Sequence, residues 1–370
     1  MTALADLIAD RIRRDGPLPF AAYMSLALYH PRFGYYASAD ERLGWRGHFV
    51  TSSELDPAYG ILWGRAFESL WIDAQRPDEF VVVEIGPGSG AFAAAVIDNL
   101  SPEAAKAIRY VLVERMARAR ERQAELLGGR NVTWVGSIDE LPAIESGCAF
   151  LNEILDNLPV HLVERDEDGI HELCVDLDGD GLSFRARPPT SPELIAYLDR
   201  AGITLPVGHR AEVALAAESM VRHVGARLES GTIAFVDYGI TGPEASTRPG
   251  GTLACYSEQG VDDAVLERPG SKDITAHAPW TAIANVLTAS GFRVSGPETQ
   301  RAVLKRLGSD EIDASLRDAH ESAVREGRGG DAVRALSRRQ AIGVLVDPNG
   351  LGGLEVVAGT KGVPPPTFLG

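Results

Sequence analysis

The stretch Val81-Val82-Val83-Glu84-Ile85-Gly86-Pro87-Gly88-Ser89-Gly90-Ala91-Phe92 decides the architecture. An apolar run rich in valine ends in a glycine turn, and the turn opens onto the helical pattern AFAAAVIDNL. A strand buried on both faces that feeds a helix in this way is the unit of a parallel α/β sheet. Glycine at such a turn accepts positive φ and lets a ligand approach the backbone closely. Gly86, Gly88 and Ala91 also satisfy the G-x-G-x-x-G/A spacing of dinucleotide-binding turns, so the glycines leave a dinucleotide, S-adenosyl-L-methionine and a turn that binds nothing all open. Glu84 weighs between them. A carboxylate just before the turn repels a pyrophosphate but suits the ammonium and sulfonium of S-adenosylmethionine. The residues in line for that cofactor are Glu84, Gly86, Pro87, Gly88 and Gly90.

The same alternation continues outward through YVLVER, MARARERQAELL, VTWVGS and CAFLNEIL, short apolar runs separated by helical patterns. It predicts a doubly wound, Rossmann-like α/β sheet. Glu114 ends the strand YVLVE, where an acidic side chain commonly accepts two ribose hydroxyls; the bland alternative is a surface Glu heading a basic helix. After the third strand, Ser137 and Ile138 are placed for adenine contacts. The fourth strand ends in Asn152-Glu153-Ile154-Leu155-Asp156, which puts polar groups at the carboxyl edge of a parallel sheet, where α/β proteins bind ligands. Methyl transfer needs an in-line approach and exclusion of water more than covalent catalysis, and a carboxylate there can orient an acceptor or take its proton. Asn152, Glu153 and Asp156 are therefore the candidate catalytic residues, against the alternative that Asn152 or Asp156 caps a helix.

Residues 1–76, with an amphipathic helix carrying Leu4, Leu7, Ile8 and Ile12 and then aromatic-rich loops, read as an N-terminal helical cap and cofactor-covering loop. Residues 77–162 and 229–370 read as the sheet-bearing core, and 163–228 as an inserted α+β substrate-side region. In that insertion VERDEDGIHELCVDLDGDGLSFRARP alternates like hairpin strands broken by Asp-Gly clusters, followed by a helix from Ser191-Pro192-Glu193 and another from about Ala211 to Leu228. Asp176-x-Asp178-x-Asp180-Gly181 begins like a calcium loop, but residue 187, where the bidentate Glu belongs, is Arg, and a hairpin turn is the better reading. Asp273 and His277 have the spacing of two metal ligands without a third, so no metal is expected.

With 36 basic and 52 acidic residues the formal net charge is −16, which disfavours a general nucleic-acid binder. Hydrophobic residues at 45% and charged residues at 24% exclude disordered and collagen-like classes. No apolar run is long enough to cross a membrane. Only Cys148, Cys174 and Cys255 occur, widely spaced, so a disulfide framework is not indicated and a reducing compartment is expected. With an N-terminus that lacks the signal-peptide pattern, this predicts a cytoplasmic protein, and a homodimer is compatible with it.

In the order YMSLALYHPRFGYY, GHFVTSSE, VEIGPGSG, FLNEILDNLPV, VDYG, GTLACY, PGSKDITAH, GPETQ and LVDPNGLGGLEVVAG, the chain resembles the MidA-like S-adenosylmethionine-dependent methyltransferase family over most of its length. The resemblance implies a class I methyltransferase core with an added domain. It also implies a protein arginine as acceptor for at least some members, whose mitochondrial representatives serve respiratory complex I assembly. It carries a cofactor role to Glu84, Gly86, Gly88, Gly90 and Glu114, and a substrate-side role to Asn152, Glu153 and Asp156. The family loop usually reads Gly-Asp-Phe-x-Thr-x-Pro-Glu with Ser-Gln shortly after. Here His48 replaces the acid, Ser53 the proline, and Asp56-Pro57 the Ser-Gln. The departures leave three readings of the function: transfer of methyl to a nitrogen or oxygen nucleophile such as a protein arginine; a divergent methyltransferase of small molecules, natural products among them, with His48 or His161 as general base; and a non-catalytic assembly factor that binds a protein partner.

Overall fold

The computed structural model describes residues 3–37, 51–179, 181–257 and 259–370. The chain divides into two compact units. One takes the described residues of Met1–Phe49 with Ile154–Arg222 and Gly239–Ala289; the other takes those of Val50–Glu153 with His223–Tyr238 and Ser290–Gly370.

The second unit carries the expected α/β sheet. Its strands, numbered within the unit, are β1 Phe80–Ile85, β2 Ile108–Val113, β3 Val132–Val135, β4 Gly147–Asn152, β5 Gly231–Asp237, β6 Arg293–Thr299 and β7 Glu355–Lys361. They lie in the order β6-β7-β5-β4-β1-β2-β3. The pairs β1–β2, β2–β3, β1–β4 and β4–β5 are parallel, and β7 runs antiparallel between β5 and β6. The chain leaves β1 toward one edge and returns to β4 on the other side of it, so the strand order reverses between β1 and β4. Outside the carboxyl ends of those two strands an open α/β sheet has its ligand crevice. This is the doubly wound, Rossmann-like architecture that the apolar runs announced. At the start of β5, Gly231 comes so close to β4 that a Cβ on it would stand 1.9 Å from the carbonyl oxygen of Gly147, and its φ is 136°. Only glycine fits there.

Helix Pro57–Asp73 belongs to this sheet unit. It starts where Asp56 accepts the Ala58 N–H at 2.8 Å and Pro57 fills the first turn, both favourable at a helix N-terminus. It buries Tyr59, Trp63 and Phe67. The Trp63 and Phe150 ring centroids are 4.4 Å apart, and Phe92 stacks on Phe150 at 5.2 Å.

The first unit contains the expected hairpins. Strand His161–Arg165 pairs antiparallel with Ile170–Asp178, which also pairs with Gly181–Arg187, so the calcium-like Asp176–Gly181 stretch ends one strand and starts the next. Helix Ala3–Asp15 buries Leu4, Ile8 and Ile12 as its periodicity predicts.

Three expectations are corrected. Residues 57–73 group with the sheet and not with the N-terminal cap, because their aromatic face is part of the core under β4. Gly239–Ala289 groups with the first unit and not with the sheet. The segment expected to begin a helix at Ala211 is instead the strand Arg210–Val213, with the helix confined to Leu215–Arg227. In Arg-Ala-Glu-Val, Ala211 and Val213 alternate inward, and pairing with His161–Arg165 outweighs local helix propensity.

Among the described residues no helix is long and apolar enough to cross a membrane. Phe150→Ala removes the ring on which Trp63, Phe67 and Phe92 converge, and it is expected to cost about 3–5 kcal/mol in denaturant unfolding. Val261→Ala, at a residue 63% exposed, is expected to stay within about 0.5 kcal/mol.

Candidate active site

The glycine turn follows β1 directly. Gly86, Gly88 and Gly90 have φ of 68°, 54° and 85°, conformations that glycine adopts without strain. The Gly86 N–H reaches back to Val113 O at 3.1 Å, and the Gly90 N–H closes the turn onto Pro87 O at 2.9 Å. Glu84 is buried beside this turn, and the Tyr110 hydroxyl donates to its Oε2 at 2.9 Å. Burial, opposed by that hydrogen bond and aided by the charge of Glu54, pushes the Glu84 carboxyl up to about 8.

Glu114 follows β2. Its Oε1 accepts the Met116 N–H at 2.7 Å, and burial raises its pKa. Gln123, on helix Ala117–Leu127 and 1% exposed, ties three candidate elements together. Its amide Nε2 donates to Gly88 O at 2.8 Å and lies 3.4 Å from Glu114 Oε2, while its Oε1 accepts from Trp134 Nε1 at 3.1 Å. Beyond β3, Ser137 is exposed and Ile138 half-buried, and Glu140 accepts from the Gly136 N–H at 2.9 Å.

At the end of β4, Glu153 is 8% exposed and adopts φ 52°, the left-handed region that costs a non-glycine residue about 1–3 kcal/mol. Its N–H still bonds Val236 O on β5 at 2.8 Å, so the sheet enforces this turn of the backbone. Glu153 Oε1 accepts from the Ser52 N–H at 2.9 Å and from Asn152 Nδ2 at 3.0 Å; Oε2 is buried with no partner among the described residues. Burial pushes this carboxyl up to about 7 against both donors. Asn152 Oδ1 stands 2.5 Å from the Tyr59 hydroxyl, which burial keeps protonated and therefore a donor. Gln300 lies 3.0 Å from the same hydroxyl and donates to Leu351 O at 2.8 Å. The structure thus brings Asn152 and Glu153 into one network.

Asp156 lies in the first unit, buried, with its backbone oxygen accepting the Ala276 N–H at 2.8 Å. The turn after β4 leads into no helix, so neither Asn152 nor Asp156 is a helix cap. His48 lies outside the described residues. His161 is paired at 2.7 Å with the buried Glu172 within the first unit's sheet. Asp56, one of the departures from the family loop, caps helix Pro57–Asp73 and pairs with Arg338 at 3.2 Å, a structural use.

Residues 62–298 match the family model described as "Putative S-adenosyl-L-methionine-dependent methyltransferase". The chain belongs to this family. It is similar to the mitochondrial protein arginine methyltransferase NDUFAF7 of Danio rerio, 29% identical over 86% of this chain and 79% of that one. The same protein of Mus musculus is 30% identical over 81% and 73%. A crystal structure from Burkholderia thailandensis bound to S-adenosyl-homocysteine superposes with a TM-score of 0.85, at 29% identity over 99% of this chain and 94% of that one. The protein is an S-adenosylmethionine-dependent methyltransferase acting on a methyl acceptor. The expected cytoplasmic location is overturned by the curated relatives, which are mitochondrial proteins. Three widely spaced cysteines without a disulfide framework do not separate one compartment from another, which is why the sequence misled.

Sequence reasoning missed Gln123, Tyr59 and the pair Ser52 and Glu54. Glu54 and Gln300 stood in the quoted GHFVTSSE and GPETQ stretches, but Gln123 is one polar residue in an ordinary charged helix and gave no signal.

Burial raises Glu84 to about 8 and Glu153 and Asp273 to about 7. The folded chain therefore holds protons that the unfolded chain releases at lower pH, and their contribution to stability is lost as pH rises through 7 to 8. The melting temperature of the ligand-free protein is expected to fall between pH 6 and pH 8.5. S-adenosylmethionine affinity is expected to rise over the same interval, by at most about tenfold per pH unit, as Glu84 ionises toward the cation. Calorimetric scans and titrations read both, and a melting temperature that climbs with pH here would contradict the assignment.

Proposed function

We propose that the acceptor is a protein arginine nitrogen and that Glu153 is the group that holds it and receives its proton. The observation that carries this reading is the Glu153 carboxylate: one oxygen fixed by two N–H donors, the other buried and unpartnered among the described residues, on a backbone turn that only the sheet sustains. The name of the curated relatives, protein arginine methyltransferase, supports the acceptor class.

The residues present fit the cofactor. The turn Gly86-Pro87-Gly88 to Gly90 offers bare backbone, Glu84 offers an acid for the ammonium, Glu114 a carboxylate for the ribose hydroxyls, and Ser137 with Ile138 a hydroxyl and an apolar surface for adenine. S-adenosylmethionine supplies a methyl carbon made electrophilic by its sulfonium and departs as the neutral thioether. Glu153 Oε2 accepts an N–H of the guanidinium, which fixes the direction of the nitrogen lone pair, and takes that proton as the new N–C bond forms. With a pKa near 7 the carboxylate is in part ionised at neutral pH and so can act as this base. Asn152, held by Tyr59, keeps the shared Oε1 from rotating away. A neutral nitrogen or oxygen on a small molecule could use the same carboxylate, and the experiment separates the two.

Glu153→Gln is expected to lower kcat by about 10²-fold or more while S-adenosylmethionine affinity stays within a few-fold, because the amide keeps the shape and loses the basic oxygen. With methyl-labelled cofactor and a lysate of the source cells, label recovered as methylarginine in a protein band supports the arginine reading. Label confined to extractable small molecules replaces it with the small-molecule one, and no transfer with binding intact favours the non-catalytic role.

A further inference from the structure

One helical turn, Ser52–Leu55, touches both halves of the site. At its start the Ser52 N–H holds Glu153 Oε1 at 2.9 Å. Near its end Glu54 Oε1 accepts the Ser89 N–H at 2.9 Å and Glu54 Oε2 accepts the Ser89 hydroxyl at 2.8 Å. The two ends are not equally free. Ser52 is fully buried, and its Oγ accepts from Gln300 Nε2 at 3.2 Å. Gln300 is itself fixed on Leu351 O, so the Ser52 end is anchored to the C-terminal part of the sheet unit. The Glu54 end lies over the open glycine turn: an atom placed as a Cβ on Gly88 would meet Glu54 Oε1 at 2.8 Å. A ligand that lies against the Gly88 backbone, as a bare glycine there invites, meets this carboxylate first.

We propose that Ser52 and Glu54 are positioning residues: a cofactor on the glycine turn re-seats the Glu54 carboxylate, and the shared helical turn passes that displacement to the N–H that orients Glu153. With the Ser52 end held by Gln300, a new seat for Glu54 tilts the turn about that anchor and changes the angle of the Ser52–Glu153 bond. The charge works in the same direction. Glu54 exchanges two Ser89 donors for a cation when the cofactor arrives, which it can do only if it leaves Ser89 in part. The consequence is that Glu153 is held differently before and after the cofactor enters. The inference rests on the glycine turn being the cofactor site and not on the identity of the acceptor.

The test reads Glu153 itself. In protein labelled with ¹³C at the glutamate carboxyl, the Glu153 resonance is identified by its loss in Glu153→Gln, and its titration midpoint is followed with and without saturating S-adenosyl-homocysteine, binding being verified by calorimetry. In the parent protein the ligand is expected to move the midpoint by about one pH unit, the scale of a changed hydrogen bond to a carboxylate. Glu54→Ala is expected to bind the ligand at higher concentration and to lose most of that movement, while Ser52→Ala, which keeps the backbone N–H, retains it. Should Glu54→Ala fail to fold, Glu54→Gln serves, with the movement expected to fall by half or more because the amide oxygen can keep only one Ser89 donor. A midpoint that moves fully in the Glu54 variants, or that does not move in the parent although the ligand binds, overturns the proposal. Absence of binding in the parent would instead reject the cofactor site on which it rests, and a result that excludes arginine as acceptor would leave it standing.

Discussion

The carboxyl edges of β1 and β4 each carry a carboxylate withdrawn from water, and much of what surrounds them follows from the cost of keeping it there. An ionised carboxylate in a low-dielectric interior is expensive unless it is hydrogen-bonded, and its pKa rises until donors or protons compensate. Glu84 is compensated by the Tyr110 hydroxyl and Glu153 by the Ser52 N–H and the Asn152 amide. Neither set neutralises the acid. Both carboxyls are left with pKa values near the physiological range, so each can hold or release a proton as a cation comes and goes.

The supporting shell is built mostly from elements that the chain places far apart in sequence. Helix Pro57–Asp73 contributes Tyr59 to Asn152 and Trp63 to the core behind Phe150, so one helix both supports β4 and orients the residue at its end. Gln300 opens the helix after β6 and is spent on Ser52, Tyr59 and Leu351. Gln123 does the corresponding work on the other side, linking the glycine turn to the strand ends of β2 and β3. Such networks hold a geometry by pairing buried polar atoms, and Glu153 Oε2, one of the buried atoms without a partner among the described residues, is the atom that the proposed reaction uses.

The legible part of the fold was the part made by local pattern. Short apolar runs such as Phe80–Ile85 and Ile108–Val113, each with a helical pattern after it, specify parallel strands because both sheet faces must be apolar. Alternation with Asp-Gly breaks specified the hairpins of the first unit in the same way. The strand Arg210–Val213 was not legible, since four residues that pair with a partner some fifty positions earlier carry no local sign of that pairing. The grouping of residues 57–73 with the sheet was hidden for a related reason: an aromatic helix face shows that it is buried, not what buries it.

From sequence alone came the residue types proposed for the site. Glu84, the glycines, Glu114, Asn152 and Glu153 could be put forward because strand ends and glycine turns put chemistry at fixed positions along a chain, and an acid before the turn suits a cationic cofactor by charge. Tertiary structure alone decided which of these share a network, which oxygen of Glu153 is engaged and which is left, and that Ser52 and Glu54 span the two halves. Those facts depend on burial and on hydrogen bonds between segments as distant as Ser52 and Gln300, and neither quantity exists until the chain has folded.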